Sequence, residues 1–65
     1  MRMKTTEAIL HILGMREGPS KLQLAKKILR TQVAILNTYL NGTPLPKAKA
    51  EIIENYFGIE VTDAR

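Results

Sequence analysis

Ser20 to Gly42 reads SKLQLAKKILRTQVAILNTYLNG, and its punctuation decides the fold. Ser20 is a good N-cap, because its hydroxyl accepts one of the amide hydrogens that a helix start leaves unpaired. A helix is expected from Lys21 to about Leu29, with Leu24 and Ile28 facing inward and Ala25 small enough to admit another helix. Arg30-Thr31 forms the turn. Thr31 is the natural cap of a further helix, Gln32 to Leu40 or Asn41. Gly42 then supplies the left-handed stop that residues with a Cβ resist. Two short helices joined by a tight turn make a helix-turn-helix.

Upstream, Thr5 or Thr6 caps a first helix over roughly Glu7 to Leu13, with Gly14 as its stop. Ile9, Ile12 and Leu13 share a face at spacings of three and four. Glu7 lies in the first turn, where the helix dipole favours a carboxylate. His11 falls between the inner positions and reads as a solvated helix residue, since no second ligand or acid–base partner accompanies it. Gly14 to Pro19 is a loop. Downstream, Thr43-Pro44-Leu45-Pro46 is a rigid bridge, and proline suits the first helical position because its missing N–H would be unpaired anyway. A last helix is expected from about Pro46 to Phe57, stopped by Gly58, with Ile52, Ile53, Tyr56 and Phe57 as its inner face. Lys47 and Lys49 sit in its first turn, where the dipole disfavours cations; that hints at a nearby anion. Ile59-Glu60-Val61 alternates and reads as a short strand or an extended tail.

The 65 residues make one domain, 1–65. A chain of this size buries only about 60% of its unfolded surface, so its core is small. With no cysteine and one histidine, neither disulfides, thiolate zinc nor a histidine-rich metal site is expected. No nucleophile–base pair, carboxylate pair or phosphate loop points to an enzyme, and no cofactor is expected. Apolar runs fall short of the roughly 18 residues that span a bilayer, and Met1-Arg2-Met3-Lys4 lacks the apolar core of a signal peptide. A soluble, cytoplasmic protein is the expectation. The net charge is +4, and its distribution is more informative. From Gly18 to Ala50 there is no acid, but there are six cations: Lys21, Lys26, Lys27, Arg30, Lys47 and Lys49. All six acids lie outside that stretch, with the four remaining cations. This segregation is the footprint of a polyanion binder.

Taken together, Leu24-Ala25-Lys26-Lys27-Ile28, Thr31-Gln32, Leu40-Asn41-Gly42, Pro46 and Phe57-Gly58-Ile59 resemble the phage Cro and repressor family of helix-turn-helix proteins, also called the XRE type. The resemblance runs from about Ser20 to Val61. It implies an all-α, compact bundle of four to five helices, the lambda-repressor-like DNA-binding domain, with the fifth helix missing or vestigial here. It also implies a transcription regulator that binds double-stranded operator DNA through the helix after the turn. The family often has glycine in the turn, where this chain has Leu29 or Arg30.

Two registers of that turn are open. In the first, which needs no insertion if Thr31 is the cap, Ile35 and Tyr39 point inward and Thr31, Gln32, Val33, Leu36 and Asn37 face DNA bases. In the second, the turn is one residue longer, Leu36 and Tyr39 are the inward pair, and Gln32, Val33 and Ala34 lead into the groove. The first is favoured. Gln32 suits a bidentate adenine contact, and Asn37 a base edge or phosphate, while Val33 and Leu36 can touch only thymine methyls. Lys21, Lys26, Lys27, Arg30, Lys47 and Lys49 are the expected phosphate contacts, and a homodimer on paired half-sites is the expected assembly. The alternative is an antirepressor or antiactivator on the same fold. Its apolar face Val33, Leu36, Tyr39 and Leu40 would seize the DNA-binding domain of a cognate repressor, because a helix apolar on most sides is usually covered on most sides.

Overall fold

Thr5, Ala8, Ile9 and Ile12 recur at three and four residues and form the buried stripe of the first helix, α1 (Thr5–Leu13), in the computed structural model, which describes residues 1–65. Before it lies a two-residue strand, β1 (Arg2–Met3). After it come α2 (Lys21–Gln23), which widens directly into a π-helical segment (Leu24–Ile28), then α3 (Val33–Leu40), α4 (Lys47–Phe57) and β2 (Glu60–Val61). The chain is therefore mostly helical, with four helices and a short two-stranded parallel sheet. The expectation of an all-α fold is corrected on this point. No helix is long and apolar enough to cross a membrane.

The sheet joins the two ends of the chain. Arg2 lies opposite Glu60 and Met3 opposite Val61. The Glu60 amide donates to the Met1 carbonyl at 2.7 Å and the Thr62 amide to that of Met3 at 2.9 Å. Ile59 and Val61 are buried while Glu60 is exposed, so the alternation at 59–61 is that of a strand. Beyond it, the Arg65 amide donates to the Leu45 carbonyl and the Arg65 carbonyl accepts from the Lys47 amide, both at 2.9 Å. The start of α4 thus finds its acceptor in the chain's own last residues.

One core collects residues from α1, the π-helical segment, α3, α4 and β2 and from the turns between them: Ala8, Ile9 and Ile12 of α1; Leu24, Ala25 and Leu29; Leu36 and Tyr39 of α3; Leu45; Ala50 and Ile53 of α4; Ile59 and Val61. α3 packs against both α1 and the α2 segment, and the Thr6 hydroxyl donates to the Tyr39 carbonyl at 2.9 Å to tie α1 to α3.

Several expected inner positions move. On α1, Leu13 is only half-buried, and Thr5 and Ala8 take the inside instead. Neither Thr5 nor Thr6 is the N-cap: Lys4 is, and Thr5 is the first helical residue. On α4, Tyr56 is 65% exposed, and Ala50 is buried together with Ile53. Small residues sit where backbones approach most closely, and counting large apolar residues passes over them. α4 ends at Gly58, whose φ of 69° is the left-handed conformation expected of a helix stop.

The turn between α2 and α3 decides the register, and it is the longer one. The Leu29 amide bonds back to Leu24, five residues away, and the Thr31 amide to Ala25, six away. A π-widened last turn accommodates the extra residue. Arg30 then reverses the chain with φ 54°, the one left-handed residue that is not glycine. Thr31 is not the cap of α3; Gln32 is. The inner face of α3 is consequently rotated from the favoured reading, although Tyr39 is inward in both. Leu36 is fully buried and Ile35 is 40% exposed.

Candidate nucleic-acid interface

The first turn of α2 is held by a reciprocal pair. The Ser20 hydroxyl accepts from the Gln23 amide at 3.2 Å, and the Gln23 side-chain oxygen accepts from the Ser20 amide at 3.0 Å. This capping box satisfies two backbone donors at once. It orients a segment whose inner side chains are Leu24 and Ala25, leaving Lys21, Lys26 and Lys27 exposed. At the other end, the Lys49 ammonium reaches across from α4 and donates to the Leu29 carbonyl. A cation on the last carbonyls of a helix opposes the negative end of its dipole.

α3 has Leu36 and Tyr39 buried, with Val33 and Leu40 half-buried beside them. At 3.6 residues per turn that inner stripe leaves Ala34, Ile35, Thr38 and Asn41 outside, and all four are exposed. Asn37 is half-buried at the flank, and Gln32 is exposed at the N-cap. The Gln32 side chain makes no capping bond, so its amide is free to meet a ligand. The Thr38 hydroxyl donates back to the Ile35 carbonyl at 2.6 Å.

Among the expected base contacts, Gln32 is exposed and Asn37 half-exposed. Thr31 and Val33 are half-buried. Leu36 is inside the core and touches no groove. Its spacing is the reason: 33, 36 and 40 recur at three and four, and Tyr39 completes the stripe. That pattern was the signal for the longer turn, and for the outward positions Ala34 and Thr38. The apolar docking face is corrected in the same way. Leu36 and Tyr39 belong to the core, where burial pushes the Tyr39 phenol up, and Val33 and Leu40 pack against it. The exposed aliphatics here are Ile35 on α3 and Leu22, 57% exposed, on α2.

Among the expected phosphate contacts, Lys21, Lys26, Lys27, Arg30 and Lys47 are exposed. None is paired with an acid: the only ion pair in the molecule joins Arg2 of β1 to Glu60 of β2 at 2.7 Å. Lys49 is the exception. It is half-buried and spends its ammonium on the Leu29 carbonyl. No family model matches the chain, and comparison with curated proteins and with solved structures finds no match.

Proposed function

We propose that the chain is a small transcription regulator of Cro/repressor type that binds operator DNA. In this reading α2, its π-turn and α3 are the helix-turn-helix, and α3 lies in the major groove. One observation carries it: five exposed, unpaired cations lie on the acid-free segment that contains both helices and the start of α4. Gln32 leads into the groove as the residue equipped for a bidentate adenine contact, and Asn37 and Thr38 are the further polar groups of α3. The molecule measures 23 × 23 × 18 Å. Half-sites one helical turn apart are separated by about 34 Å, so one copy covers one half-site and a full operator takes a dimer.

The competing reading, capture of another regulator's DNA-binding domain, is supported by Ile35 and Leu22. It is the weaker of the two, because Leu36 and Tyr39 are unavailable to any partner. The test is selection from a randomised pool of duplex DNA, followed by affinity measured against salt. Five neutralised phosphates give a slope of log affinity against log salt of roughly −4 to −5. An enriched site should show two half-sites in inverted order. Absence of duplex binding at low salt would sink the proposal.

A further inference from the structure

The α2–α3 turn contains two cations in opposite situations. Arg30 is exposed and unpaired, yet it occupies a left-handed conformation (φ 54°) that glycine adopts without strain. Lys49 is half-buried and donates to the Leu29 carbonyl, the acceptor of the peptide that leads into Arg30. An ammonium on that carbonyl fixes the peptide plane immediately before the strained residue. The π-widened turn, with Thr31 bonded back to Ala25 at 2.8 Å, fixes the plane immediately after it. Arg30 is therefore clamped on both sides, and its guanidinium leaves from a rigid point between the two helices. Strain of this kind persists where the surroundings over-determine it, and it concentrates at ligand clamps.

We infer that the two cations act in sequence on one contact. Arg30 is a phosphate anchor of the α2–α3 unit, and Lys49 is the positioning residue that holds the turn presenting it. This rests on the DNA-binding reading above and assigns roles within it. It also removes Lys49 from the set of phosphate contacts. Arginine suits the anchor because its planar fork binds phosphate oxygens bidentately. No acid between Gly18 and Ala50 competes for it.

The test measures binding to one selected duplex against salt, with thermal melting of the same samples. Arg30→Gln keeps the strained backbone and removes the charge. It should flatten the salt slope by about 0.9 and weaken binding about eightfold at 0.1 M monovalent salt, with the melting temperature unchanged. Arg30→Gly should flatten the slope equally while raising the melting temperature by about 4 °C, because glycine releases the strain. Arg30→Lys should keep the slope. Lys49→Met should lower the melting temperature and weaken binding by the folded protein in the wild-type background, while weakening it no further in the Arg30→Gln background, because it acts through Arg30. The assignment is overturned if Arg30→Gln keeps the wild-type slope, or if Lys49→Met weakens binding equally in the wild-type and Arg30→Gln backgrounds. Should Lys49→Met be unfolded at the assay temperature, the Arg30 variants decide alone. Failure of the wild type to bind any duplex at low salt is a separate result, and it overturns the DNA-binding reading itself.

Discussion

The Asp63 carboxylate accepts two hydrogen bonds from Thr5, from the amide at 2.8 Å and from the hydroxyl at 2.7 Å. Lys4, in the N-cap position of α1, has no side-chain acceptor to offer. Asp63 supplies one from the other end of the chain, and a carboxylate there also faces the positive end of the helix dipole. The Thr5 hydroxyl in turn accepts from the Leu45 amide at 2.9 Å. Three segments that are distant in sequence meet on one buried side chain: the start of α1, the loop before α4 and the C-terminal tail.

Acid should therefore loosen this junction. Partial desolvation works to raise the Asp63 carboxyl, but the hydrogen bonds from Thr5 and the charge of Lys4 outweigh it and hold it below the ordinary value. A carboxyl whose folded pKa is lowered contributes stability that is full above its unfolded value, about 3.9. That stability is lost as pH falls through the folded value. Asp63→Ala removes the cap and should cost about 1 kcal/mol near neutral pH, which lowers the melting temperature by about 4–8 °C in a domain of this size. Melting curves from pH 7 to pH 2 check the sign: the gap between wild type and variant should close at the acid end. An undiminished gap at pH 2 would mean that the charge is not the source.

Thr5→Val should do more damage than Asp63→Ala, although it is nearly isosteric. It removes the hydroxyl donor to Asp63, leaving the amide's bond, and also the acceptor of the Leu45 amide, a buried bond. A buried donor left without a partner costs about 1–3 kcal/mol. Chemical denaturation of both variants tests the order. If Thr5→Val is the milder of the two, the hydroxyl is not the hub that this geometry makes it.

Much of this arrangement is legible from residue types, and the remainder fails to be for identifiable reasons. Ser20, Gly42, Gly58 and Pro46 mark helix ends because their side chains, or lack of them, suit those ends for local reasons. The register of α3 depends instead on one extra residue in the turn, and Arg30 carries no local signal of a left-handed conformation. The candidate site inherits that difficulty. Gln32 and the exposed lysines can be read from type and charge, whereas Leu36 and Ile35 change sides with the register. β1 escapes notice because two residues, Arg2 and Met3, have no period, and they become a strand only by pairing with Glu60 and Val61. Asp63 reads as a tail residue until the fold returns it to Thr5.

Leu36 and Ile35 are adjacent aliphatics with opposite fates, which makes the register directly measurable. Leu36→Ala empties a fully buried site and should cost about 2–5 kcal/mol. A domain of this size has a total stability of roughly 3–10 kcal/mol, so this variant should be partly or wholly unfolded at 37 °C. Ile35→Ala removes an exposed side chain and should stay within about 0.5 kcal/mol of wild type. Urea titrations of the two separate the registers. The reverse order would restore Ile35 to the core and return Leu36 to the outer face.

Gln32→Ser should separate stability from recognition. Gln32 occupies the N-cap of α3 with extended backbone (φ −86°, ψ 152°), yet its side chain makes no capping bond. Serine at that position accepts from a first-turn amide and should add about 0.5–1 kcal/mol, a rise of about 4 °C in melting temperature. The same change removes the long amide proposed to reach adenine, and a bidentate pair of that kind is worth about 1–3 kcal/mol of discrimination. In binding to the selected duplex and to the same duplex with the contacted adenine replaced, the wild type should prefer the former by roughly 5- to 150-fold. The more stable variant should lose that preference while keeping the salt slope, because the phosphate contacts are untouched. A Gln32→Ser variant that gained stability and still preferred adenine would move base reading to Asn37 or Thr38. The outward stripe of α3 would then carry the specificity further along the helix than its first turn.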